Sequence, residues 1–192
     1  NDDRLPVIID LAAAPGRTII FTRTKHRAKQ LTRQLNAHGV VSVEMHGNLS
    51  QNVRTRNLAA FSDGTAAAMV ATDIAARGIH VDDVSLVIHA DPPIEHKAYL
   101  HRSGRTARAG NEGVVVTLAT ESQRKDVDQL MRKVKFFGLM PKSLAALEPQ
   151  TPQIAAQLGA QLADQLALID AFAFFEIKDH RRISFDRADT IK

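Results

Sequence analysis

Short apolar runs alternate with longer amphipathic stretches between residues 18 and 137, and this alternation restricts the fold more than any other feature. We predict strands over residues 18–22, 40–45, 67–71, 84–89 and 113–118. Their nearly continuous apolar character is typical of strands that are covered on both faces. Strands that alternate with helices form a mostly parallel sheet. The expected fold class is therefore α/β, a three-layer domain with a central sheet flanked by helices.

The stretches between these runs have helical spacing and end signals. We predict helices over residues 5–14, 25–38, 50–61, 95–101 and 121–137. Ser50 is placed to cap its helix by accepting a hydrogen bond from a first-turn amide. Gly39 suits a left-handed C-terminal cap, and Pro15 with Gly16 would end the first helix.

The character of the chain changes after Gly138. Prolines at 141, 149 and 152 indicate a linker over residues 139–153, which would follow a domain over residues 1–138. Apolar residues at helical spacing from Ile154 to Ile169 then predict an amphipathic helix. We expect a C-terminal helical or irregular extension with a basic tail over residues 154–192. The helix would pack on its own domain or on another copy, in a homo-oligomer through residues 154–177, and a role in binding a partner is the alternative.

Composition excludes several classes of protein. The chain has no cysteine, which rules out disulfides, thiolate zinc sites, iron–sulfur clusters and a cysteine nucleophile. A reducing compartment is permitted, and we expect a cytoplasmic protein. The longest apolar run, residues 166–177, is broken by Asp170 and Glu176 and is too short to cross a bilayer, so no membrane partner is expected.

The charge points weakly to a polyanion. The net charge is +4, and the chain has one Tyr and no Trp. With few aromatic rings to stack on bases, a bound nucleic acid would be held mainly by its backbone.

The densest cluster of unusual residues is HRSGRTARAG, residues 101–110. Arginines 102, 105 and 108 recur every third residue. A guanidinium offers parallel donors and stays charged, which suits phosphate. The alternative interpretation is an exposed basic loop.

Three further clusters stand where predicted strands end. In ATDIAARGIH, residues 71–80, Thr72 and Asp73 follow a strand directly, at the edge where parallel sheets bind ligands; a helix cap is the alternative. In MHGNLSQNVRTR, residues 45–56, Gln51 and Arg54 lie one helical turn apart, as they also would on an ordinary exposed helix.

The third of these clusters is IIFTRTK, residues 19–25. Its hydroxyls and cations could hold a nucleic-acid backbone, or it could be a strand end with a helix cap.

All four clusters occur in one order at strand ends, and together they resemble the second RecA-like domain of the DEAD-box RNA helicases. IIFTRTK is similar to motif IV of that family, QNVR to its QxxR element, ATDIAARGI to motif V and HRSGRTARAG to motif VI. The resemblance covers about residues 4–138. The leading His101 favours the DEAD-box branch over the DEAH branch, where a Gln normally stands.

The resemblance implies roles on the nucleotide side. Arg105 and Arg108 match two arginine fingers that reach the γ-phosphate of ATP held by the first domain and stabilise charge during phosphoryl transfer. Gly78 and His80 match the edge that contacts the ATP ribose. His101 matches a residue that couples the nucleotide site to the first domain and to RNA.

The resemblance also implies a path for single-stranded RNA, with Thr24, Gly47, Arg54 and Thr72 at positions that touch its phosphates and sugars. The chain departs from the family at two places. His80 stands where an Asp usually accepts bonds from the ribose, and Ala107 stands where Gly is common.

The chain contains neither a GxxxxGK[ST] phosphate loop nor an Asp-Glu-Ala-Asp motif. By resemblance these elements belong to an N-terminal RecA-like domain of the same protein, which would hold most of the contacts to ATP and Mg²⁺. We therefore expect no metal site and no tightly bound cofactor in this chain, which would be half of an ATP-dependent RNA helicase and inactive alone. Its partners would be single-stranded or duplex RNA.

Two other interpretations stay open. A stand-alone RNA-binding or scaffold module that has lost ATPase function would have little need of both Arg105 and Arg108, although His80 favours it mildly. The HRxGRT sequence of residues 101–106 argues against a DNA-translocating helicase.

Overall fold

The computed structural model describes residues 4–79, 81, 83–106, 114–136, 171–177 and 181–184. The helices are α1 (Arg4–Ala13), α2 (Lys25–Ala37), α3 (Gln51–Ser62), α4 (Asp73–Ala76), α5 (His96–Ser103) and α6 (Arg124–Phe136), the last preceded by a 3₁₀ turn (Glu121–Gln123). The strands are β1 (Arg17–Phe21), β2 (Ser42–Met45), β3 (Ala68–Ala71), β4 (Val84–His89), β5 (Val114–Thr120), β6 (Ala171–Ile177) and β7 (Arg181–Ser184).

The strands form one sheet in the order β2-β3-β1-β4-β5-β6-β7. The first five in this order are parallel to their neighbours, and β6 and β7 add to the β5 edge in antiparallel pairing. This confirms the predicted α/β class, and the five predicted strands and the first four predicted helices each lie within two residues of their observed bounds. The helix predicted from residue 121 begins three residues later, at Arg124, after the 3₁₀ turn. The sequence did not predict α4, which is too short to show helical periodicity.

Two apolar clusters cover opposite faces of the sheet. Neighbouring residues of a strand point to opposite faces, and β1 places Ile20 in one cluster and Phe21 in the other. Helices α1 and α2 bury Ile8 and Leu31 with Ile20, whereas α3 buries Phe61 with Phe21. The sheet is therefore the middle of three layers, and helices cover both of its faces.

Local signals at the helix ends act as predicted. The Ser50 hydroxyl accepts a hydrogen bond from the Val53 amide at 3.4 Å and caps α3. Gly39 follows α2 with a φ of +83°, a conformation that favours glycine.

The C-terminal region differs from the expected helical or irregular extension, because Ala171–Ile177 and Arg181–Ser184 are strands. The physical reason is the free edge that β5 would otherwise leave: its unpaired amides and carbonyls are a template for another strand. The Phe-rich run of β6 has high strand propensity and pairs with β5 along its full length. The predicted linker and the predicted helix up to residue 169 lie outside the described residues, so the domain limits and the oligomer stay predictions.

In the described residues no helix is both long enough and apolar enough to span a membrane.

Candidate nucleic-acid and nucleotide site

The carboxyl ends of four neighbouring strands lie level with one another. Ala71 of β3 is paired with Met45 of β2 on one side and with Phe21 of β1 on the other, and Phe21 is paired with His89 of β4. The chain continues this register beyond β3, since the Thr72 amide donates to the Met45 carbonyl at 3.1 Å. The three loops that follow β1, β2 and β3 therefore leave from one edge, as the sequence predicted.

Thr24 is exposed and caps α2. Its hydroxyl oxygen accepts a hydrogen bond from the Arg27 amide at 3.2 Å, so the helix-cap interpretation of this cluster is correct. A hydroxyl that accepts one bond still has a proton to donate. The cap therefore fixes the Thr24 hydroxyl at the edge while leaving it able to donate to a phosphate oxygen.

The loop after β2 is held by His46, which is buried. Its Nδ1 lies 3.3 Å from the Asn48 amide nitrogen, which donates to it, and its Nε2 lies 3.2 Å from Glu44 Oε2. The latter pair is close but outside hydrogen-bond geometry, since both atoms are unpartnered among the described residues. A Cβ placed on Gly47 would meet no described atom within 4 Å, so the backbone there is open to a ligand.

Arg54 is half-buried on α3 and donates from Nη2 to the Ala75 carbonyl at 2.6 Å. This bond joins the QNVR segment to α4. A guanidinium has five N–H donors in a fixed fork, so the contact orients Arg54 and leaves donors for a second acceptor.

Thr72 is the N-cap residue of α4 and has an extended conformation, but its side chain makes no capping hydrogen bond. The helix-cap alternative is therefore correct in position, but the capping bond from the Thr72 side chain is not formed. Its neighbour Asp73 forms a bidentate ion pair, because both of its carboxylate oxygens accept hydrogen bonds from Arg102, at 2.6 and 2.7 Å.

Arg102 is the residue whose role the sequence reasoning missed. The regular spacing of three arginines suggested phosphate binding, yet Arg102 is only 4% exposed. Besides Asp73 it donates to the Asp91 carbonyl at 2.8 Å, and its guanidinium carbon lies 5.3 Å from the centre of the Phe21 ring. A helical-face check would have found it, since Arg102 shares the buried face of α5 with Tyr99 one turn earlier.

Arg105 lies just beyond α5 and is half-buried. Its Nη1 donates to the Ile79 carbonyl at 2.6 Å, which brings the HRSGRTARAG segment against the turn after α4. That turn depends on Gly78, whose φ of +73° favours glycine. The structure thus brings Arg105 and Gly78 together. His101 is exposed on α5, and Arg108 and His80 lie outside the described residues.

His89 ends β4 beneath this edge and is fully buried. Its Nδ1 lies 2.8 Å from the Thr117 hydroxyl, and its ring stacks edge-on with Phe21 and Tyr99. Burial, with a smaller contribution from the charge of Arg102, lowers the pKa of His89 well below the usual 6.5. The ring is therefore neutral at physiological pH.

Within the described ranges, no three His, Asp or Glu side chains converge as metal ligands would. Asp73 is occupied by Arg102, and Asp91 by the Arg23 amide at 2.9 Å.

Comparisons with known proteins identify relatives of this arrangement. The family described as the helicase conserved C-terminal domain matches residues 2–110, more than half of the chain. DEAD-box ATP-dependent RNA helicase 7 of Arabidopsis thaliana is 40% identical over 162 residues, which are 84% of this chain and 23% of the relative. ATP-dependent rRNA helicase RRP3 of Vanderwaltozyma polyspora is 45% identical over 124 residues, 64% of this chain and 24% of the relative. The chain thus spans about a quarter of the length of these curated relatives.

Solved structures agree. The E. coli DEAD-box protein SrmB, crystallised with regulator of ribonuclease activity A, superposes with a TM-score of 0.67 at 31% identity, covering 77% of this chain and 92% of that one. S. cerevisiae Dbp5 bound to RNA and ADP BeF3 superposes with a TM-score of 0.65 at 29% identity, covering 73% of this chain and 38% of that one.

Proposed function

We propose a function from the family of this chain, which belongs to the helicase conserved C-terminal domain family and, within it, to the DEAD-box RNA helicases. The proposed function is that of the second RecA-like domain of an ATP-dependent RNA helicase. ATP and Mg²⁺ would be held mainly by an N-terminal RecA-like domain of the same protein. This domain would supply Arg105 and Arg108 to the γ-phosphate and part of the path for single-stranded RNA. Closing the two domains over both ligands would open a duplex locally.

The observation that carries the nucleotide part is the contact between Arg105 and the turn at Gly78. The guanidinium of Arg105 donates to a neutral carbonyl, that of Ile79. Charge-assisted bonds to phosphate are stronger than bonds to a neutral acceptor. An approaching γ-phosphate would therefore compete with the Ile79 carbonyl for the Arg105 guanidinium. Gly78 and His80 would contact the ribose, and His101 would couple the two domains.

A domain exchange tests this role. The chain would replace the corresponding domain of SrmB, and RNA-stimulated ATP hydrolysis would be measured for Arg105→Lys, Arg108→Lys and the surface control Arg132→Lys. Loss of an arginine finger costs about 10³-fold or more in kcat, so both test variants should fall that far and the control should not change. An Arg105→Lys chimera with undiminished kcat would refute the assignment. The chain alone, with Mg²⁺, ATP and RNA, should release no phosphate above a no-protein control.

The RNA path is proposed from residues gathered at one edge: Thr24, Gly47, Arg54 and Thr72. Isolated hydroxyls, an open backbone and one oriented guanidinium recognise phosphate and sugar without reading bases. Arg54→Lys would keep the charge but lose the fork, and Arg56→Lys on the exposed side of the same helix is the matched control. Fluorescence anisotropy with labelled oligo(U) should show weaker binding for Arg54→Lys and for Thr72→Ala only. If neither variant binds more weakly than the control, the path is wrong.

Two broader expectations remain proposals. The absence of cysteine is compatible with a reducing compartment, and we propose that the protein acts in the cytoplasm, to be checked by cell fractionation. The predicted amphipathic helix would join two copies. In sedimentation velocity, a dimer that Leu158→Asp and Leu162→Asp convert to monomer would support the oligomer, and a monomeric unmodified chain would exclude it.

A further inference from the structure

The positive charge of the chain is concentrated in one segment. Residues 22–62 contain seven of the 25 Lys and Arg residues and one of the 21 Asp and Glu residues, a net charge of +6. The remaining 151 residues therefore carry a net charge of −2. The basic character of the protein belongs to α2, α3 and the loops beside them.

Helix α2 has the larger share of this charge. No Asp or Glu occurs between Asp10 and Glu44. Lys25, Lys29 and Arg33 recur every four residues along α2, so they share a face, and all three are exposed. We call these three residues the α2 cationic stripe.

No acidic residue in the described part of the chain neutralises the stripe. None of its three side chains makes an ion pair with the residues that the structure describes. Glu44, the next acid along the chain, lies against His46 instead. Ordinary solvated helix faces alternate charge signs, whereas a single-sign face raises the local concentration of counter-ions and favours a polyanion.

The stripe continues the proposed RNA path. Thr24, a candidate phosphate contact at the sheet edge, is the N-cap of α2, and Lys25 follows it directly. From Lys25 to Arg33 the helix rises about 12 Å, at about 1.5 Å per residue. A nucleic-acid strand that leaves the edge at Thr24 would meet the three cations one turn apart.

We propose that the α2 cationic stripe is a second RNA-backbone site, which holds the RNA segment that flanks the strand bound at the sheet edge. This inference rests on the proposed RNA path and extends it along the outer surface of the domain. Flexible lysines and an arginine on a helix suit phosphates of any sequence. The stripe would anchor long RNA while the edge holds the strand to be bent.

Charge neutralisation tests the proposal on the full chain. The test variant is Lys25→Gln/Lys29→Gln/Arg33→Gln. The control is Lys125→Gln/Arg132→Gln/Lys133→Gln at exposed positions of α6, which also removes two lysines and one arginine. Glutamine has a helix propensity close to that of both residues, and equal urea midpoints would show that both variants fold. Binding of single-stranded RNA of about 8 and about 25 nucleotides would be followed by anisotropy across a salt series.

Each phosphate contact to a single strand contributes about 0.7 to the slope of log affinity against log salt. For the stripe variant, the steepness of log affinity against log salt should decrease by about 2 on the longer RNA and by less than 1 on the shorter RNA. The control variant should keep the slope of the unmodified chain on both RNAs. An unchanged slope on the longer RNA, or an equal loss in the control, would overturn the proposal. Arg54→Lys and Thr72→Ala separate the two hypotheses: if both bind RNA normally while the stripe variant loses slope, the edge path fails and the stripe is retained.

Discussion

The two members of the ion pair between Asp73 and Arg102 should contribute unequally to stability, because only Arg102 is buried. Arg102 is 4% exposed and Asp73 is 42% exposed. Removing one partner is costly in proportion to the burial of the charge that stays behind. Asp73→Ala leaves a buried guanidinium, and Arg102→Met leaves a carboxylate that reaches water.

The magnitudes follow from the contacts. An orphaned buried charge costs about 3–5 kcal/mol, and the remaining bond from Arg102 to the Asp91 carbonyl places Asp73→Ala near the lower end, about 3 kcal/mol. Methionine keeps the length of Arg102 and its packing on Phe21 but leaves the Asp91 carbonyl without this donor. That loss and the lost cation–π contact amount to about 2 kcal/mol.

The double variant Asp73→Ala/Arg102→Met has no orphaned charge, so it should match Arg102→Met within about 0.5 kcal/mol instead of showing the sum. Urea unfolding followed by circular dichroism suits a chain with no Trp and one Tyr. Asp10→Ala, on the exposed side of α1, is the control and should change stability by less than about 0.5 kcal/mol. If Arg102→Met is as destabilising as Asp73→Ala, or if the effects add, the burial argument is refuted.

Three further predictions concern stability. Burial lowers the pKa of His89, so below about pH 6.5 the unfolded chain binds a proton at this residue and the folded chain does not. The free energy of unfolding should therefore fall between pH 7.5 and 5.5, by up to about 1.4 kcal/mol per pH unit more than in His89→Asn. Equal pH slopes for the two proteins in urea titrations would contradict this. Gly16→Ala should cost about 2 kcal/mol, because φ is +106° and the new Cβ would collide with Ser85; adding Ser85→Ala should recover only part of the thermal midpoint, and full recovery would argue against backbone strain. Thr24→Ala should lower stability by about 1 kcal/mol through the lost bond to the Arg27 amide, whereas Thr24→Ser should keep it, and equal melting temperatures would exclude the cap.

Periodicity and end signals were enough to predict the parallel core of the fold. The runs that became β1 to β5 are apolar throughout, and Ser50 and Gly39 marked helix ends by chemistry that acts within a few residues. The strand β6 could not be predicted in this way, because its partner β5 lies about 50 residues earlier in the chain. Its pairing depends on a free sheet edge, which is a property of the assembled fold.

The candidate site was predictable in its location and less so in the roles of its residues. Placing the motifs at strand ends correctly gathered Thr24, Gly47 and Thr72 at one edge. The three-residue spacing of the arginines did not separate Arg102 from Arg105, whereas the helical face that Arg102 shares with Tyr99 does mark it as buried. The Thr72 hydroxyl was also ambiguous, because capping depends on a local backbone geometry that sequence does not specify.

The contacts of Arg102 and Arg54 have a consequence for how the edge opens. Arg102 ties the first residue of α4 to the end of α5 and to the loop after β4, and Arg54 ties α3 to the middle of α4. A short helix that is bonded to the helices on both sides should not open alone, so α4 and its neighbours should behave as one cooperative unit in native-state hydrogen exchange. The backbone amides of Ala76 and Gly104 are hydrogen-bonded to the Thr72 and Leu100 carbonyls, at the ends of α4 and α5. These two amides should then exchange at similar rates and become protected together when ATP or RNA binds.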